Sequence, residues 1–152
     1  MNDESLIQDA IGNKCWYKNN RLHRVNGPAV EKKNGDKEWY LNGKRHREDG
    51  PALIYPDLIE VWYFNDKEHR LDGPAKIWAD GTKEWWVNGK LHRLEGPACY
   101  YEDSERWYIR SIKYEPNEHP FNIFRTQYNL SNKYEEWSNE YKVLFKLIYG
   151  GL

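Results

Sequence analysis

A 23-residue repeat dominates the sequence and restricts the folds that are open to it. Tryptophan recurs at positions 16, 39, 62 and 85, always 23 residues apart, and once more at 107. A His-Arg pair and then a Gly-Pro-Ala triplet follow each of the first four tryptophans at fixed distances. A fifth copy begins at Trp107 and then loses the pattern, with Tyr114 where histidine would stand. Regular repeats of this length are typical of chains in which similar supersecondary units stack side by side.

Each unit contains two extended segments separated by turn signals. Residues 37–41 (KEWYL) are aromatic and extended in character, and Asn42 and Gly43 then tolerate the positive φ of a tight turn. The second segment follows Gly-Pro-Ala, where proline lacks a backbone donor and therefore belongs before a strand or at its start. We expect one hairpin per unit, which adds about 10 Å to a sheet. The sequence thus predicts a mainly β fold, an elongated antiparallel ribbon of four to five 23-residue β-hairpin repeats.

The flanking segments predict helical caps at the ends of this ribbon, because an exposed edge strand is a template for aggregation. Residues 3–11 place four apolar side chains on one helical stripe, with Asp3 as N-cap and Gly12 as the stop. The four are Leu6, Ile7, Ala10 and Ile11. The sequence therefore predicts a short N-terminal helix within an N-terminal cap, residues 1–15, ahead of the repeat region, residues 16–114.

A C-terminal helical segment, residues 115–152, is predicted to cap the other end. Pro120 can open a short helix that carries Phe121, Phe124 and Tyr128. A longer helix fits residues 133–149, with Ser131 or Asn132 as its cap and Gly150 after its end. Its apolar face comprises Tyr134, Trp137, Tyr141, Leu144, Phe145 and Ile148.

The charge balance and cysteine content disfavour several classes of protein. The 152 residues carry 23 basic and 24 acidic side chains, without the basic excess that accompanies general nucleic-acid binding. No stretch approaches the roughly 18 apolar residues of a membrane span, and the acidic opening residues do not resemble a secretory signal. Cys15 and Cys99 are too few for a disulfide framework. We expect a cytoplasmic protein whose thiols pack as small apolar groups.

Residues 39–44 (WYLNGK) and their equivalents in the other units resemble the MORN (membrane occupation and recognition nexus) repeat. They are most similar to the MORN-variant repeats of bacterial, phage and giant-virus proteins. The resemblance covers residues 16–114 and implies a scaffold or binding module. The second half of the usual MORN unit is rich in glycine, whereas here it reads His-Arg-x-x-Gly-Pro-Ala. The phospholipid-binding role of some MORN proteins is therefore not implied.

Two aromatic ladders supply the first candidate site, because eight tryptophans and twelve tyrosines must provide most of the burial. Successive strand residues point to opposite faces of a sheet. The first ladder comprises Trp16, Trp39, Trp62, Trp85 and Trp107. The second ladder comprises Tyr17, Tyr40, Tyr63, Trp86 and Tyr108. One interpretation makes both ladders core. The other leaves the second ladder exposed for protein binding, since contiguous apolar surface marks partner sites. Stacking on bases or sugars is a third interpretation.

The His-Arg pairs supply the second candidate site. Their recurrence in register favours a structural role, in which histidine bonds to loop backbone and arginine pairs with acids such as Glu48, Asp49, Asp72 or Glu95. Alternatively they form a rim that binds phosphate, comprising His23, Arg24, His46, Arg47, His69, Arg70, His92 and Arg93. Equivalent histidines lie about 10 Å apart, which is too far for them to share a metal. We therefore expect neither a metal site nor a cofactor.

Catalytic signatures are lacking, since no nucleophile elbow, phosphate loop or HExxH motif occurs. His119, the histidine outside the repeat, is interpreted as a loop residue. The sequence therefore predicts a non-enzymatic module that acts as a scaffold or inhibitor of a partner protein through the second ladder. The alternative is binding or sequestration of a phosphorylated small molecule or nucleotide at the His-Arg rim. An incompletely capped sheet end would also permit a homodimer.

Overall fold

The computed structural model describes residues 4–151, and in this range the chain is mainly β. The strands are β1 (Ser5–Gln8), β2 (Lys14–Lys18), β3 (Arg21–Leu22), β4 (Val30–Glu31), β5 (Lys37–Glu38), β6 (Tyr40–Leu41), β7 (Lys44–Arg45), β8 (Leu53–Tyr55), β9 (Ile59–Val61), β10 (Tyr63–Phe64), β11 (Lys67–Glu68), β12 (Lys76–Trp78), β13 (Lys83–Glu84), β14 (Trp86–Val87), β15 (Lys90–Leu91), β16 (Cys99–Tyr101), β17 (Ser104–Ile109) and β18 (Ile112–Tyr114). The helices are α1 (Pro120–Gln127), a 3-10 helix (Tyr134–Glu136) and α2 (Asn139–Tyr149).

One antiparallel sheet runs through all the units. Its strand order is β1-β2-β4-β5-β8-β9-β12-β13-β16-β17-β18, and β3 pairs with β2 beside this path. The order follows the chain, so each hairpin lies next to the hairpin of the preceding unit. The predicted antiparallel ribbon of hairpin repeats is therefore confirmed.

A second, smaller hairpin leaves the main sheet in three of the units. These hairpins are β6–β7, β10–β11 and β14–β15, each two residues per strand. The predicted run 37–41 is therefore not one strand. It is interrupted at Trp39, whose N–H donates to the Ala52 carbonyl at 2.8 Å, and Tyr40 then begins the small hairpin. Asn42 and Gly43 close that hairpin with φ of 53° and 85°, as the sequence predicts.

The alanines of the Gly-Pro-Ala triplets lie at the centre of the ribbon. Ala29, Ala52, Ala75 and Ala98 are all fully buried. Each accepts a hydrogen bond from the ladder tryptophan of its own unit, at 2.8 Å in all four cases. The small side chain suits this position, since the backbones of the two segments meet there.

The predicted N-terminal helix is wrong for the residues that the structure describes, and its proposed cap, Asp3, lies outside them. Residues 5–8 form strand β1, in which Leu6 lies opposite Trp16 and Ile7 opposite Cys15. A turn then follows, in which the Asp9 carboxylate accepts hydrogen bonds from the N–H groups of Ile11 and Asn13. The edge of β2 offers unpaired backbone groups to this segment, and pairing with them outcompetes an isolated helix of about nine residues.

The C-terminal helices agree only in part with the sequence prediction. Helix α1 begins at Pro120 as predicted, with Phe121 and Phe124 buried. The predicted helix over residues 133–149 is broken, because Trp137 adopts an extended backbone and α2 begins only at Asn139. Gly150 caps the end of α2 as predicted, whereas Ile148 of the predicted apolar face is exposed.

The break at Trp137 positions its ring for a contact with α1. The indole stacks on Phe121 with 5.0 Å between ring centroids and 2° between the ring planes, and its Nε1–H donates to the Ser131 carbonyl at 2.8 Å. Ser131 is therefore an indole acceptor and not the predicted helix cap. The same cluster closes the last repeat, and its buried members are Leu94, Trp107, Ile109, Phe121, Phe124, Trp137 and Phe145.

Candidate functional site

The arginine of each His-Arg pair lies over the ladder tryptophan of its own unit. The guanidinium carbon is 3.7 Å from the ring centroid in the Arg24–Trp16 pair and 4.1 Å in the other three units. In each unit the guanidinium Nη1 also donates to the carbonyl of the triplet proline, at 3.1 to 3.3 Å. The sequence analysis did not predict this stacking. Its signal is the fixed spacing of eight residues from the tryptophan to the arginine of each unit.

The glycine of each triplet makes room for that arginine. A Cβ atom at Gly50 would lie 2.9 Å from Cζ of Arg47, and at Gly73 it would lie 3.0 Å from Cζ of Arg70. Any larger residue would therefore push the guanidinium off its tryptophan. Glycine is needed here because of this close approach and not because of its backbone freedom, since neither Gly50 nor Gly73 has a positive φ.

Acidic side chains pair with three of the four arginines. Arg47 bonds Asp49 and Arg70 bonds Asp72, each at 2.8 Å, and Arg24 bonds a different acid at 2.8 Å. That acid is Glu31, from the following strand. Glu48 instead lies 3.6 Å from His46, and Arg93 has no carboxylate partner within residues 4–151. The arginines are thus largely committed to contacts inside the ribbon.

The histidines link consecutive units through the backbone. Nδ1 of His23 accepts a hydrogen bond from the N–H of Asn42 at 3.0 Å. His92 Nδ1 accepts from the N–H of Arg110 in the same way, at 3.3 Å, and Nδ1 of His69 lies 3.2 Å from the backbone nitrogen and 3.0 Å from Oδ1 of Asn88. Each of these three histidines thus contacts a turn residue of the next unit.

His46 departs from that pattern. Its Nδ1 is buried and has no hydrogen-bond partner, and its ring lies 4.6 Å from that of Phe64. The other three units carry lysine, leucine or valine where Phe64 stands. The ring of Phe64 fills the space beside His46, and His46 Nδ1 does not accept a hydrogen bond from the turn of the third unit.

The five residues of the second ladder are half-buried, so they are neither fully core nor fully exposed. The polar side-chain atoms of two of them donate to acidic residues two positions earlier in the chain. The Tyr40 hydroxyl donates to Glu38 Oε2 at 2.8 Å, and the Trp86 indole Nε1–H donates to Glu84 Oε2 at 2.7 Å. The sequence analysis missed these two acids. Their signal is the spacing, because each acid precedes its ladder residue by two positions, 38 before 40 and 84 before 86.

Glu38 is the most buried of these carboxylates, with 7% of its surface exposed. It accepts hydrogen bonds from Tyr40, from Tyr55 at 3.0 Å and from Arg45 Nη2 at 3.1 Å. Burial opposes its ionised form, but these three donors outweigh burial and hold the pKa of Glu38 below its ordinary value. Burial, together with the bond to Glu38, raises the pKa of Tyr40.

Two cations, Arg45 and Lys76, lie against rings of the second ladder. The Arg45 guanidinium is 5.5 Å from the Tyr40 ring centroid and 5.6 Å from that of Tyr63. Lys76 lies 4.5 Å from the Trp86 ring and bonds Glu68 at 3.1 Å. Three rings of the second ladder, Tyr40, Tyr63 and Trp86, thus lie next to a cation, and a ring and a cation attract each other through the ring quadrupole.

Residues 4–151 contain no group of three or more His, Cys, Asp or Glu side chains arranged to hold a metal ion. None of the helices in this range is long and apolar enough to cross a membrane. Comparison of the sequence with protein-family models and with curated proteins finds no match.

Proposed function

We propose that this chain is a non-enzymatic, MORN-like repeat module that binds a partner protein through its second ladder, as a scaffold or an inhibitor. The observation that carries the proposal is the stack of Tyr40, Arg45 and Tyr63, in which two rings flank one guanidinium on the ribbon surface. Tyrosine, tryptophan and arginine are the residues most enriched at the energetic centres of protein interfaces.

The hydrogen bonds below the ladder support the same role. Glu38 fixes both the Tyr40 hydroxyl and the Arg45 guanidinium, so these side chains lose little freedom when a partner covers them. Because the ladder repeats in every unit, a partner that buries about 800 Å² on this chain would contact several units at once.

The phosphate-binding alternative receives less support from the geometry. Each rim arginine stacks on a tryptophan and donates to a proline carbonyl, as Arg47 does with Trp39 and Pro51. Phosphate would have to compete with these contacts and, at Arg47 and Arg70, with a carboxylate as well. Nδ1 of His23 and of His92 accepts a backbone N–H and is therefore not free to donate to an anion.

The proposal places the protein in the cytoplasm. Cys15 and Cys99 are both unpaired thiols, as is usual in a reducing compartment. Burial raises the pKa of Cys99 to about 11, so this thiol stays protonated and unreactive. We also propose that the chain forms a homodimer through strand β1, which lies at one end of the sheet.

Affinity capture with matched variants tests the binding face. Tyr40→Ala/Tyr63→Ala removes two rings of the second ladder, whereas Ile54→Ala/Ile77→Ala truncates two half-buried side chains of the alternate cross-strand row. Neighbouring residues along a strand point to opposite faces, so the second pair leaves the ladder face intact. We expect the first variant alone to lose its partner. Capture that survives Tyr40→Ala/Tyr63→Ala but is lost with Arg47→Ala would favour the phosphate-binding rim instead.

A further inference from the structure

The rim arginines of the second and third units show where the repeat binds a carboxylate. Arg47 and Arg70 each donate from Nε to the aspartate two residues later in the chain, at 2.8 Å. The acceptors are Asp49 and Asp72. In both units Nη1 still donates to the carbonyl of the triplet proline, and the guanidinium still covers the ladder tryptophan. The Nε side of the stacked guanidinium is therefore a carboxylate site that the repeat itself provides.

The same site at Arg93 is open within residues 4–151. Its Nη1 donates to the Pro97 carbonyl at 3.3 Å, and its guanidinium carbon lies 4.1 Å from the Trp85 ring centroid, as in the other units. Glu95 stands where the two aspartates stand, but it forms no ion pair with Arg93. Even Arg24, whose unit has an asparagine at that position, bonds a carboxylate from the next strand. In the described part of the chain, Arg93 is thus the rim arginine that lacks a carboxylate.

Contacts with the C-terminal helical segment set the turn of the fourth unit apart. Leu94 is buried in the cluster that closes the last repeat, whereas Leu71, its equivalent in the third unit, is 80% exposed. The Arg93 carbonyl lies 3.2 Å from His119 Nε2. Burial raises the pKa of Tyr134, and the negative charge of Glu95 adds to this rise. The backbone before Glu95 is therefore held by the helical segment, and the Glu95 carboxylate lies near Tyr134.

Arg93 borders a groove of about 460 Å³ between the third and fourth units. Its volume is within the range of roughly 300–1,000 Å³ that is usual for ligand sites. Three basic side chains line it, Arg70, Arg93 and Lys146, against one acidic side chain, Glu95. Because Asp72 pairs with Arg70, the basic groups that have no ion pair within residues 4–151 are Arg93 and Lys146.

The equivalent groove between the second and third units has the opposite charge balance. Two basic side chains line it, Arg47 and Arg70, against three acidic ones, Glu48, Asp49 and Asp72. The chain's own carboxylates thus fill that groove. The groove at Arg93 instead has a positive excess, which is complementary to an acidic ligand.

We propose that the groove at Arg93 binds an aspartate or glutamate side chain in an acidic, leucine-containing segment of a partner protein. The carboxylate would accept from Arg93 Nε, as the aspartates do in the second and third units, with Lys146 as a second positive charge. Trp85 and Tyr100 lie 4.1 and 5.8 Å from the guanidinium carbon, so Arg93 loses little freedom on binding. The exposed Leu71 on the groove wall suits an apolar neighbour of the acidic residue.

This site goes beyond the proposed function, because no residue of the second ladder lines the groove. It also differs from the phosphate-binding alternative, in which all four rim arginines would act. Here a carboxylate binds at the one unit whose own acid leaves the arginine open.

NMR titration of the nitrogen-15-labelled full chain with two blocked peptides, Leu-Asp-Leu-Asp and Leu-Asn-Leu-Asn, tests the site. We expect the aspartate peptide alone to shift the Nε–H signal of Arg93. Glu95→Asp restores the residue type that pairs with Arg47 and Arg70, so the chain's own carboxylate should occupy Nε and weaken peptide binding by about tenfold. Glu60→Asp makes the same change at an exposed residue outside the groove and should leave the affinity nearly unchanged.

Three results would overturn the proposal. The first is an Arg93 Nε–H signal that the aspartate peptide does not shift, and the second is an equal affinity of the native chain and Glu95→Asp. The third is inorganic phosphate that binds more tightly than the peptide, which would favour the phosphate-binding rim. Thermal melts establish that both variants fold. Tyr40→Ala/Tyr63→Ala should bind the peptide like the native chain, so failure of this site and failure of the ladder proposal are distinguishable.

Discussion

The guanidinium of Arg47 covers the indole of Trp39 at 4.1 Å, and the same pair recurs in three further units. The pair explains most of the repeated motif. Arginine lies over tryptophan and bonds the proline carbonyl, glycine leaves space for the guanidinium, and alanine accepts from the tryptophan N–H. The Arg-x-x-Gly-Pro-Ala part of the motif is thus one packing unit that occurs four times in the chain.

Gly50→Ala tests the close approach to Arg47. The new Cβ would lie 2.9 Å from Cζ of Arg47, so the flexible guanidinium must leave both Trp39 and the Pro51 carbonyl. We expect a loss of about 1–2 kcal/mol in the free energy of unfolding, the usual worth of one cation–π contact and one hydrogen bond. Urea denaturation measures it. Gly151→Ala is the control, because no atom lies within 4 Å of the Cβ added there.

Glu38→Val tests the buried polar cluster under the second ladder. Valine stands at the equivalent position of the third unit, Val61, so the size of the side chain is acceptable there. The substitution leaves Tyr40, Tyr55 and Arg45 without their shared acceptor. We expect a destabilisation of about 2–3 kcal/mol. In a double-mutant cycle with Tyr40→Phe, strict additivity of the two losses would contradict the cluster.

His119 makes the stability of the chain sensitive to acid. Its ring is fully buried, Nδ1 accepts from the Phe121 N–H, and Nε2 lies 3.2 Å from the Arg93 carbonyl. Burial lowers the pKa of His119 from 6.5 to about 4. Between these two pH values the imidazole is protonated in the unfolded chain and neutral in the folded chain. This contribution to stability is present above pH 6.5 and is lost as pH falls toward 4, on the order of 3 kcal/mol in total.

Equilibrium unfolding between pH 7 and pH 4 measures this effect. His119→Asn keeps a side-chain acceptor at the N-cap and does not titrate, so the variant should lose less stability than the native chain on acidification. His92, whose pKa is also lowered by burial, contributes in the same direction and remains in both proteins. An identical pH dependence in native chain and variant would show that His119 is not the titrating group.

Phe145→Ala tests whether the C-terminal helical segment is an integral cap. Phe145 is fully buried and contacts the rings of Phe121, Phe124 and Trp137. We expect a loss of about 3–5 kcal/mol, as is usual for a buried phenylalanine. Leu147→Ala is the control on the same helix, since Leu147 is 78% exposed. A small loss at Phe145, measured by urea unfolding, would indicate that the segment is separable from the ribbon.

The repeat made the ribbon predictable, because the same local pattern occurs four times and each copy supports the others. Asn42 and Gly43 identify a hairpin turn from their own chemistry, whatever the rest of the chain does. The break at Trp39 was not predictable in the same way, because the residue types at positions 37–41 favour an extended backbone throughout. It arises when Tyr40 turns away into the small hairpin.

The flanks were harder to predict, because they are single copies whose structure depends on distant contacts. Leu6 and Ile7 fit a helical stripe as well as a strand, and only the free edge of β2 decides between them. Trp137 fits the period of a helix, but its stack on Phe121 breaks that helix. Of the candidate sites, the second ladder was predicted from the sequence as a row of five rings, and its role in binding stays a prediction. The sequence analysis missed Glu38 and Glu84, which fix two of those rings from below.

Strand β1 predicts a homodimer. Within residues 4–151 it pairs only with β2, so its other edge presents free backbone groups, and Leu6 and Ile7 are 52% and 59% exposed. Residues 5–8 lack the proline and lysine that commonly protect edge strands. Two copies can pair antiparallel with Leu6 opposite Ile7 of the partner, in a two-fold arrangement that closes on itself.

Sedimentation over a range of concentrations should show a monomer–dimer equilibrium. Ile7→Lys should shift this equilibrium to monomer, because it places a charge at the contact, while Val143→Lys on the exposed face of α2 should not. A monomer at every concentration, or dissociation by both substitutions, would refute pairing through β1.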